Sequence, residues 1–226
     1  MSKKSCIQKA CKITDLIFKE LLADFHFTTE KDIDAFIRKR FKFYNVKPAY
    51  PPIVANNCAV IHPKPRKKKL KRGFLVLDFG AKYDGYCADM TRTLFIGKAT
   101  AAEKNLYNLV KTCQWKCVRR VRIGANCADL DVHARVLLKD YKKYFVHALG
   151  HGVGKKVHEL PTLRPTSQEI LKKGDIITIE PGIYFKQGKK EVGIRIEDTL
   201  AVGDTVKLLT KSPRHLIEIE QKKVTP

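Results

Sequence analysis

The sequence of 226 residues predicts an α+β protein made of two similar halves. Three observations lead to this fold class. Some segments carry apolar residues at helical spacing, others are short apolar runs bounded by turn residues, and one strand-turn-strand pattern occurs twice. The apolar fraction of 44% is enough for a globular core, so we do not expect a disordered chain.

The N-terminal part of the chain predicts two helices and an extended segment. Apolar residues at helical spacing predict the first helix over residues 7–25. Thr29 and Asp32 are spaced as in a capping box, which opens a second helix that runs through Phe41 and ends before Pro48. An extended apolar stretch over 53–61 then leads to His62.

A basic run and a strand-turn-strand unit follow. The run KPRKKKLKR at 64–72 lies between two apolar segments, which favours a loop that joins two strands. Residues 74–78 are a continuous apolar run of strand type that ends in Asp78. Asp84-Gly85 is a hairpin turn signal, and the chain returns as a strand over 86–96.

The next segment predicts two more helices. Thr100 and Glu103 form a second capping-box pattern, and the apolar stripe of this long helix reaches Val121 before Gly124 stops it. A shorter helix over 126–141 follows, and the remainder of the chain predicts mainly strands and turns. The seven cysteines show no CxxC spacing, and two of them lie on the stripe of the long helix, so buried free thiols are the preferred interpretation.

The net charge of +22 comes from 45 basic and 23 acidic residues. Such an excess indicates either a lysine-rich solvated surface or a weak contact with an anionic partner such as RNA or the ribosome, and we favour the first. No apolar run of 18 residues is present, so neither a membrane span nor a signal peptide is expected. The predicted location is the cytoplasm.

An internal repeat underlies the prediction of two halves. The segment LKRGFLVLD at 70–78 resembles LKKGDIITIE at 171–180, and each consists of a basic turn, a glycine, an apolar strand and a terminal carboxylate. A second strand with a second carboxylate follows each of them, at Asp89 and Glu197. Both acids precede a threonine-leucine pair. Duplication of one unit explains the pattern, and chance similarity is the alternative.

Four carboxylates occupy these two hairpins, namely Asp78, Asp89, Glu180 and Glu197. Residues equidistant from a turn lie nearly opposite each other. The midpoint between the two aspartates lies within one residue of Asp84-Gly85, and the midpoint between the two glutamates lies within the polar stretch 186–190. Each pair is therefore expected to meet on one sheet face, allowing for a bulge. Buried acids need compensation, and two divalent cations would balance all four charges. Surface acids paired with lysines are the alternative, which fits the apolar flanks poorly.

Histidines provide the second signal. The segment HALGHGVGKKVHELP at 147–161 contains His147, His151 and His158 among three glycines. Glycine permits close backbone approach around a site, and imidazole binds Mn, Fe, Co or Zn or donates to a substrate carbonyl. This segment therefore predicts a metal or substrate site.

With these motifs in place, the chain resembles the pita-bread metallopeptidases, the family of methionine aminopeptidase, aminopeptidase P and prolidase. The resemblance covers nearly the whole chain and rests on five segments in order: PPIVANNCAVIH (51–62), VLDFGAKYDGYCADMTRT (76–93), HALGHGVGKKVHELP (147–161), TIEPGIY (178–184) and GIRIEDT (193–199). It implies two pseudo-symmetric α/β halves around a curved antiparallel sheet. We expect one catalytic domain over 1–226, divided near residue 123, without a separate N-terminal domain.

The resemblance also implies roles for individual residues. The two metal ions would be held by Asp78, Asp89, His151, Glu180 and Glu197, and a hydroxide that bridges them would be the nucleophile. The implied catalytic residues are Glu180, as proton acceptor and donor, and His62 and His158, as stabilisers of the oxyanion. Substrate-side groups would be His62, His147, His158, Tyr184 and Arg195, with Arg195 also anchoring carboxylates.

The resemblance implies a specificity as well. The segments 89–93, 157–161 and 193–198 are closer to the proline-directed branch, so we expect hydrolysis of the N-terminal Xaa-Pro bond of peptides with Mn or Co, or with Fe or Zn. Methionine aminopeptidase is the alternative, because the catalytic domain is expected to begin near residue 1. A non-catalytic pita-bread protein that binds nucleic acid, the ribosome or protein partners is the alternative of another class.

Overall fold

A computed structural model of the chain describes residues 2–220 and has the α+β architecture that the sequence predicts. Residue 1 and residues 221–226 of the predicted domain lie outside the described residues. The helices are α1 (Lys3–Ala23), α2 (Glu30–Phe43), α3 (Ala101–Arg120) and α4 (Cys127–Leu137), with a 3₁₀ helix at Lys139–Tyr144. The strands are β1 (Lys47–Pro48), β2 (Ile53–Asn56), β3 (Gly73–Asp78), β4 (Ala81–Tyr83), β5 (Tyr86–Cys87), β6 (Thr91–Ile96), β7 (Gly150–Gly152), β8 (Glu159–Leu163), β9 (Ile176–Ile179), β10 (Gly182–Gln187), β11 (Lys190–Arg195), β12 (Asp198–Ala201), β13 (Lys207–Leu208) and β14 (Glu218–Ile219).

The helix starts are set by the capping residues. Thr29 and Asp32 cap α2, and Thr100 and Glu103 cap α3, each with both hydrogen bonds of a capping box, as predicted. Each cap stabilises its helix by about 1 kcal/mol, because it satisfies backbone N–H groups that have no partner inside the helix. The predicted helix over 126–141 is wrong at its end, since α4 stops at Leu137 and the left-handed backbone of Lys139 (φ 52°) leads into the 3₁₀ helix.

Two sheets form the centre of the protein. One has the strand order β14-β6-β3-β2 and the other β13-β12-β9-β7-β8. Neighbouring strands are antiparallel in both, except that β14 runs parallel to β6. The repeated segments of the sequence occupy equivalent pairs, β3 with β6 and β9 with β12, which gives the duplication a structural counterpart.

Two large apolar clusters pack the helices onto these sheets. Side chains of α1 and α2 join Leu75 and Leu77 of β3 in the first cluster. Side chains of α3 and α4 join Phe74 of β3 and Ile177 and Ile179 of β9 in the second. Strand β3 is therefore buried on both faces, which explains its continuous apolar run. The division of the chain near residue 123 stays a prediction. Helix α3 precedes this position in sequence, but its side chains pack in the second cluster.

The strands are more interrupted than the sequence suggests. The stretch over 53–61 is extended only to Asn56, because Asn57 adopts a left-handed backbone (φ 49°). The returning strand over 86–96 is broken into β5 and β6, and β4 and β5 leave the main sheet to pair in a small sheet with β1. The basic run at 64–72 does join two antiparallel neighbours, β2 and β3, as expected.

The structure also bears on the cysteines and on the possibility of a membrane span. All seven cysteines are buried free thiols, as expected. Among residues 2–220, none of the helices combines the length and the apolar character that crossing a bilayer requires.

Candidate metal centre

The register of the second hairpin brings its two glutamates face to face. Ile179 pairs with Asp198, and Gly182 pairs with Arg195, so Glu180 and Glu197 occupy opposite positions between these pairs. This is the pairing that the sequence predicts. It places both carboxylates where β9 passes into β10 and β11 passes into β12.

The register of the first hairpin differs from the prediction. Asp78 pairs with Thr91, which lies two residues beyond Asp89. The reason is that the hairpin is centred on Asp84-Gly85, one residue later than the midpoint between Asp78 and Asp89. Asp89 instead lies in the short break between β5 and β6. The two aspartates are therefore not cross-strand partners, although both still reach the same site.

Tyr50 joins the two aspartates. Its hydroxyl lies 2.6 Å from Oδ1 of Asp78 and hydrogen-bonds Oδ1 of Asp89 as well. Sequence reasoning missed this residue, because a lone tyrosine carries no spacing signal. Its only hint is its place directly before the segment that begins at Pro51.

His151 completes the cluster from the second sheet. It lies in β7, with Nε2 3.3 Å from Oε1 of Glu180 and 3.6 Å from Oδ2 of Asp89. Donor atoms of Asp89, His151 and Glu197 all lie within 4.8 Å of one another, and all three residues are buried. Gly150 permits this approach, since a Cβ at that position would lie only 2.0 Å from the carbonyl oxygen of Thr178 on β9.

Arg195 anchors the opposite side of the cluster. Its guanidinium forms an ion pair with Oδ2 of Asp78, and its Nε lies 3.1 Å from the hydroxyl oxygen of Thr91. That hydroxyl donates to Oε2 of Glu197 at 2.7 Å. Arg195 is 1% exposed, so its charge acts in a site from which water is largely excluded. The predicted anchoring of carboxylates by this arginine agrees with these contacts.

The electrostatics show how crowded the carboxylates are. Burial and the charge of Asp78 raise the pKa of Asp89 to about 7, and burial and the charge of Asp89 raise the pKa of Glu197 well above its usual range. Burial would also raise the pKa of Glu180, but the hydrogen bond from His151 and the charge of His147 lower it to about 2. In the metal-free chain, burial alone would lower the pKa of His151, but the hydrogen bond to Glu180 and the charge of Glu180 raise this pKa to about 9.

The residues present fit a pair of divalent cations. The donor set is four carboxylates and one imidazole, which suits Mn, Fe, Co or Zn. In the metal-free chain, the proton on Asp89 and the imidazolium of His151 supply positive charge that bound cations would supply instead. The structure thus brings together all five ligands that the sequence predicts, while the coordination itself stays a prediction.

The site forms one wall of a cavity of about 1060 Å³. The cavity is lined by the five predicted ligands and also by His62, His147, His158 and Arg195. His62 and His158 are exposed to it, and the ring of His158 packs edge-on against His151 with centroids 4.3 Å apart. Tyr184 lies behind this wall, where its hydroxyl accepts a hydrogen bond from Arg195 at 2.5 Å and lies 3.2 Å from Nε2 of His147. Its direct contact with substrate stays a prediction.

Replacement of Tyr50 by phenylalanine tests the hydroxyl between the aspartates. In the metal-free chain we expect the free energy of unfolding to fall by about 1–3 kcal/mol, because two buried carboxyl groups lose a hydrogen-bond partner. With saturating metal the loss should be smaller, since the cations then balance the carboxylates. Urea unfolding with EDTA and with Mn measures both values. Tyr83→Phe, outside the cavity wall, is the control, and equal losses in the two conditions would contradict the expectation.

The pH dependence of stability tests the crowding of the carboxylates. The folded chain holds a proton on Asp89 up to about pH 7, whereas the ordinary pKa of this group is 3.8. His151 likewise holds its proton up to about pH 9 instead of 6.5. Because the folded state binds more protons over these intervals, the free energy of unfolding in EDTA should fall as pH rises, by on the order of 2–4 kcal/mol.

Denaturant titrations at about pH 5 and about pH 8 check this slope. Metal binding displaces the same protons, so saturating Mn should flatten the decline. A metal-free chain that becomes more stable between these two pH values would show that the carboxylates are not crowded in this way.

The fold and the site together define a candidate two-metal centre of the kind used for hydrolysis. Residues 5–204 match the profile of metallopeptidase family M24. The chain belongs to this family, and its fold is the pita-bread fold that the sequence predicts.

Individual relatives lie in the proline-directed branch of the family. The chain is 36% identical over 222 residues to an Xaa-Pro dipeptidase of Pyrococcus furiosus, which covers 93% of this chain and 62% of that protein. It matches the crystal structure of a prolidase from Thermococcus sibiricus with a TM-score of 0.90 at 35% identity, over 96% of this chain and 61% of that one. An X-Pro aminopeptidase from Thermotoga maritima gives a TM-score of 0.89 at 32% identity, over 96% and 63%. The chain thus spans less than two thirds of the length of these relatives.

Proposed function

We propose that this chain is a metal-dependent aminopeptidase that hydrolyses the N-terminal Xaa-Pro bond of peptides. The observation that carries the proposal is the convergence of five metal-ligand candidates and three histidines on one cavity of about 1060 Å³. Three buried carboxylates and the partly buried Glu180 around an imidazole cost stability unless cations balance them, which favours a metal enzyme over a non-catalytic binding protein.

The metal ions would be held by Asp78, Asp89, His151, Glu180 and Glu197. When bound, two divalent cations, proposed as Mn or Co, lower the pKa of water toward neutrality and polarise the scissile carbonyl. Arg195 keeps Asp78 oriented through their ion pair, and Thr91 does the same for Glu197 through a hydrogen bond of 2.7 Å. These contacts hold the carboxylates in place before substrate arrives.

Glu180 is the proposed proton carrier. In the metal-free chain its carboxylate is ionised, because the hydrogen bond from His151 and the charge of His147 lower its pKa to about 2 against the opposing effect of burial. With the cations bound, it would accept a proton from the attacking water and deliver it to the departing proline nitrogen. His158 and His62, on the exposed part of the cavity wall, donate hydrogen bonds to the substrate carbonyl as negative charge develops on it.

The proline preference rests on the relatives and on the cavity wall. The relatives of this chain include an Xaa-Pro dipeptidase and an X-Pro aminopeptidase. Apolar side chains beside the ligands, including Pro52, Ile53 and Ile61, offer a surface that suits a proline ring. The volume is slightly above the usual range for ligand pockets, and we propose that the cavity accommodates peptides longer than a dipeptide. The basic surface is a separate feature, and RNA or the ribosome is its proposed class of partner.

Hydrolysis assays with three peptide types test the proposal. The purified chain is incubated with Mn or Co and with Xaa-Pro-Yaa, the dipeptide Xaa-Pro, or Met-Ala-Yaa, and released amino acids are quantified. We expect release of Xaa from Xaa-Pro-Yaa. Cleavage of the dipeptide alone would assign a dipeptidase, and cleavage of Met-Ala-Yaa alone a methionine aminopeptidase. Inactivity on all three with Mn, Co, Fe and Zn would favour a binding protein.

A further inference from the structure

A second cleft lies outside the cavity of the metal centre, between the basic run and the tip of the β10–β11 hairpin. It has a volume of about 420 Å³ and is lined by Asn57, Arg66, Lys68, Lys71, Arg72, Lys189, Lys190 and Glu191. Six of these eight residues are cationic and one is anionic. We propose that this basic cleft binds the phosphodiester backbone of nucleic acid without regard to its sequence.

Ion pairs hold the two walls of the basic cleft together. Glu103, at the start of α3, accepts hydrogen bonds from Arg72 at 2.5 Å and from Lys190 at 2.8 Å, so it links the basic run to the hairpin. These bonds outweigh burial and lower the pKa of Glu103 to about 2. Arg66 is held in the same way by Glu30 of α2 at 2.5 Å. Three of the six cations thus have structural partners and shape the cleft.

The backbone of the basic run is also held in place. Oδ1 of Asn56 accepts a hydrogen bond from the backbone N–H of Lys71 at 2.7 Å, and the side-chain amide of Asn57 donates to the carbonyl of Arg72 at 2.8 Å. Leu70 is buried in the first apolar cluster, and its N–H donates to the carbonyl of Thr28 at 2.8 Å. The lysines on either side of Leu70 therefore project from an ordered segment, which reduces the entropic cost of binding.

The remaining three cations supply the binding charge. Lys68, Lys71 and Lys189 are exposed, and within residues 2–220 none of them forms an ion pair with a carboxylate. These three lysines line one cleft, so an anion placed there is attracted by all three positive charges. Nothing in the proposed peptide hydrolysis uses this charge, because it lies outside the cavity that contains the ligands.

The chemistry of the lining favours a phosphodiester backbone over an acidic peptide. The eight lining residues include no apolar or aromatic side chain, whereas protein interfaces usually combine charge with apolar anchors. A phosphate backbone presents repeated charges and needs no apolar pocket, and arginine and lysine are its usual partners. Phosphate contacts carry no direct sequence information, so this contact is independent of base sequence. The net charge of +22 attracts such a polyanion from a distance.

Fluorescence anisotropy with a labelled oligouridylate of about 20 nucleotides tests the proposal. Three phosphate contacts predict that the logarithm of affinity falls with the logarithm of salt concentration at a slope of about −2, or roughly 16-fold between 50 and 200 mM salt. The variant Lys68→Glu/Lys71→Glu/Lys189→Glu should bind at least about tenfold more weakly at 50 mM salt. The triple variant with glutamine instead of glutamate should show a smaller loss in the same direction.

The matched control is Lys9→Glu/Lys12→Glu/Lys19→Glu, which makes the same change in net charge on the exposed side of α1. Equal losses in both charge-reversal variants would overturn the proposal, since net charge alone would then explain the binding. Absence of binding by the wild-type chain at 50 mM salt would also overturn it. A polyglutamate of the same length that competes as well as the oligonucleotide would assign the cleft to acidic protein segments. Circular dichroism and urea unfolding confirm that each variant is folded.

Discussion

Replacement of Glu180 by glutamine is expected to lower kcat/KM for an Xaa-Pro-Yaa peptide by about 10³-fold or more. Glutamine keeps the shape of the side chain but can neither accept a proton nor carry the negative charge that faces His151 at 3.3 Å and His147 at 3.9 Å. The loss combines the missing proton transfer with weaker metal binding. It should appear mainly in kcat, because the substrate-side histidines are unchanged.

Steady-state kinetics with saturating Mn or Co measure this effect. Glu191→Gln is the matched control, since Glu191 lies on β11 outside the metal-centre cavity and accepts hydrogen bonds from Lys186 and from the N–H of Ala59. It should keep wild-type activity. If Glu180→Gln retained more than about a tenth of that activity, Glu180 would be neither the proton carrier nor an essential ligand.

Removal of the metal ions is expected to abolish peptide hydrolysis, and readdition of Mn or Co to restore it. The activated water depends on the cations, and no side chain of the site replaces them as a Lewis acid. Asp89→Asn should prevent restoration, because Asp89 belongs to the group of three residues whose donor atoms lie within 4.8 Å of one another. In this variant we expect metal affinity to fall by at least about 100-fold, a larger effect than that of removing an outer partner of a ligand.

Metal content by mass spectrometry and binding by calorimetry provide readouts that do not depend on activity. Asp129→Asn, at an exposed position in the first turn of α4, is the control and should bind two metal ions like the wild-type chain. Two bound ions and full activity in Asp89→Asn would remove Asp89 from the ligand set. Activity that persists after complete chelation would exclude the two-metal proposal.

The candidate site was largely predictable because its carboxylates interrupt apolar strands. A charge in such a strand is costly unless something compensates it, so Asp78 and Glu180 are recognisable from their immediate neighbours. The pairing of Glu180 with Glu197 followed from a turn that lies midway between them. The same spacing rule predicted that Asp89 lies opposite Asp78. In the structure the partner of Asp78 is two residues further along the chain, because a turn signal does not by itself determine the centre of the hairpin.

Other features required contacts between distant parts of the chain. Tyr50 bonds both aspartates although it is 28 residues from one and 39 from the other. The ion pair of Arg195 with Asp78 spans 117 residues. No periodicity records such a contact, since it exists only once the two sheets have packed. The division into halves has the same limit, because α3 follows the first hairpin in sequence but packs in the second cluster.

The sequence by itself determined which residues are available for chemistry, namely the histidines and the acids at the ends of the repeated apolar strands. These features are properties of residue types and short spacings, so they can be recognised without knowledge of the tertiary structure. Only the tertiary structure decided which donors converge, how Arg195 and Tyr50 hold them, and that Glu103 draws the basic run and a distant hairpin into one cleft. Those features depend on distances across packed elements, which local sequence does not encode.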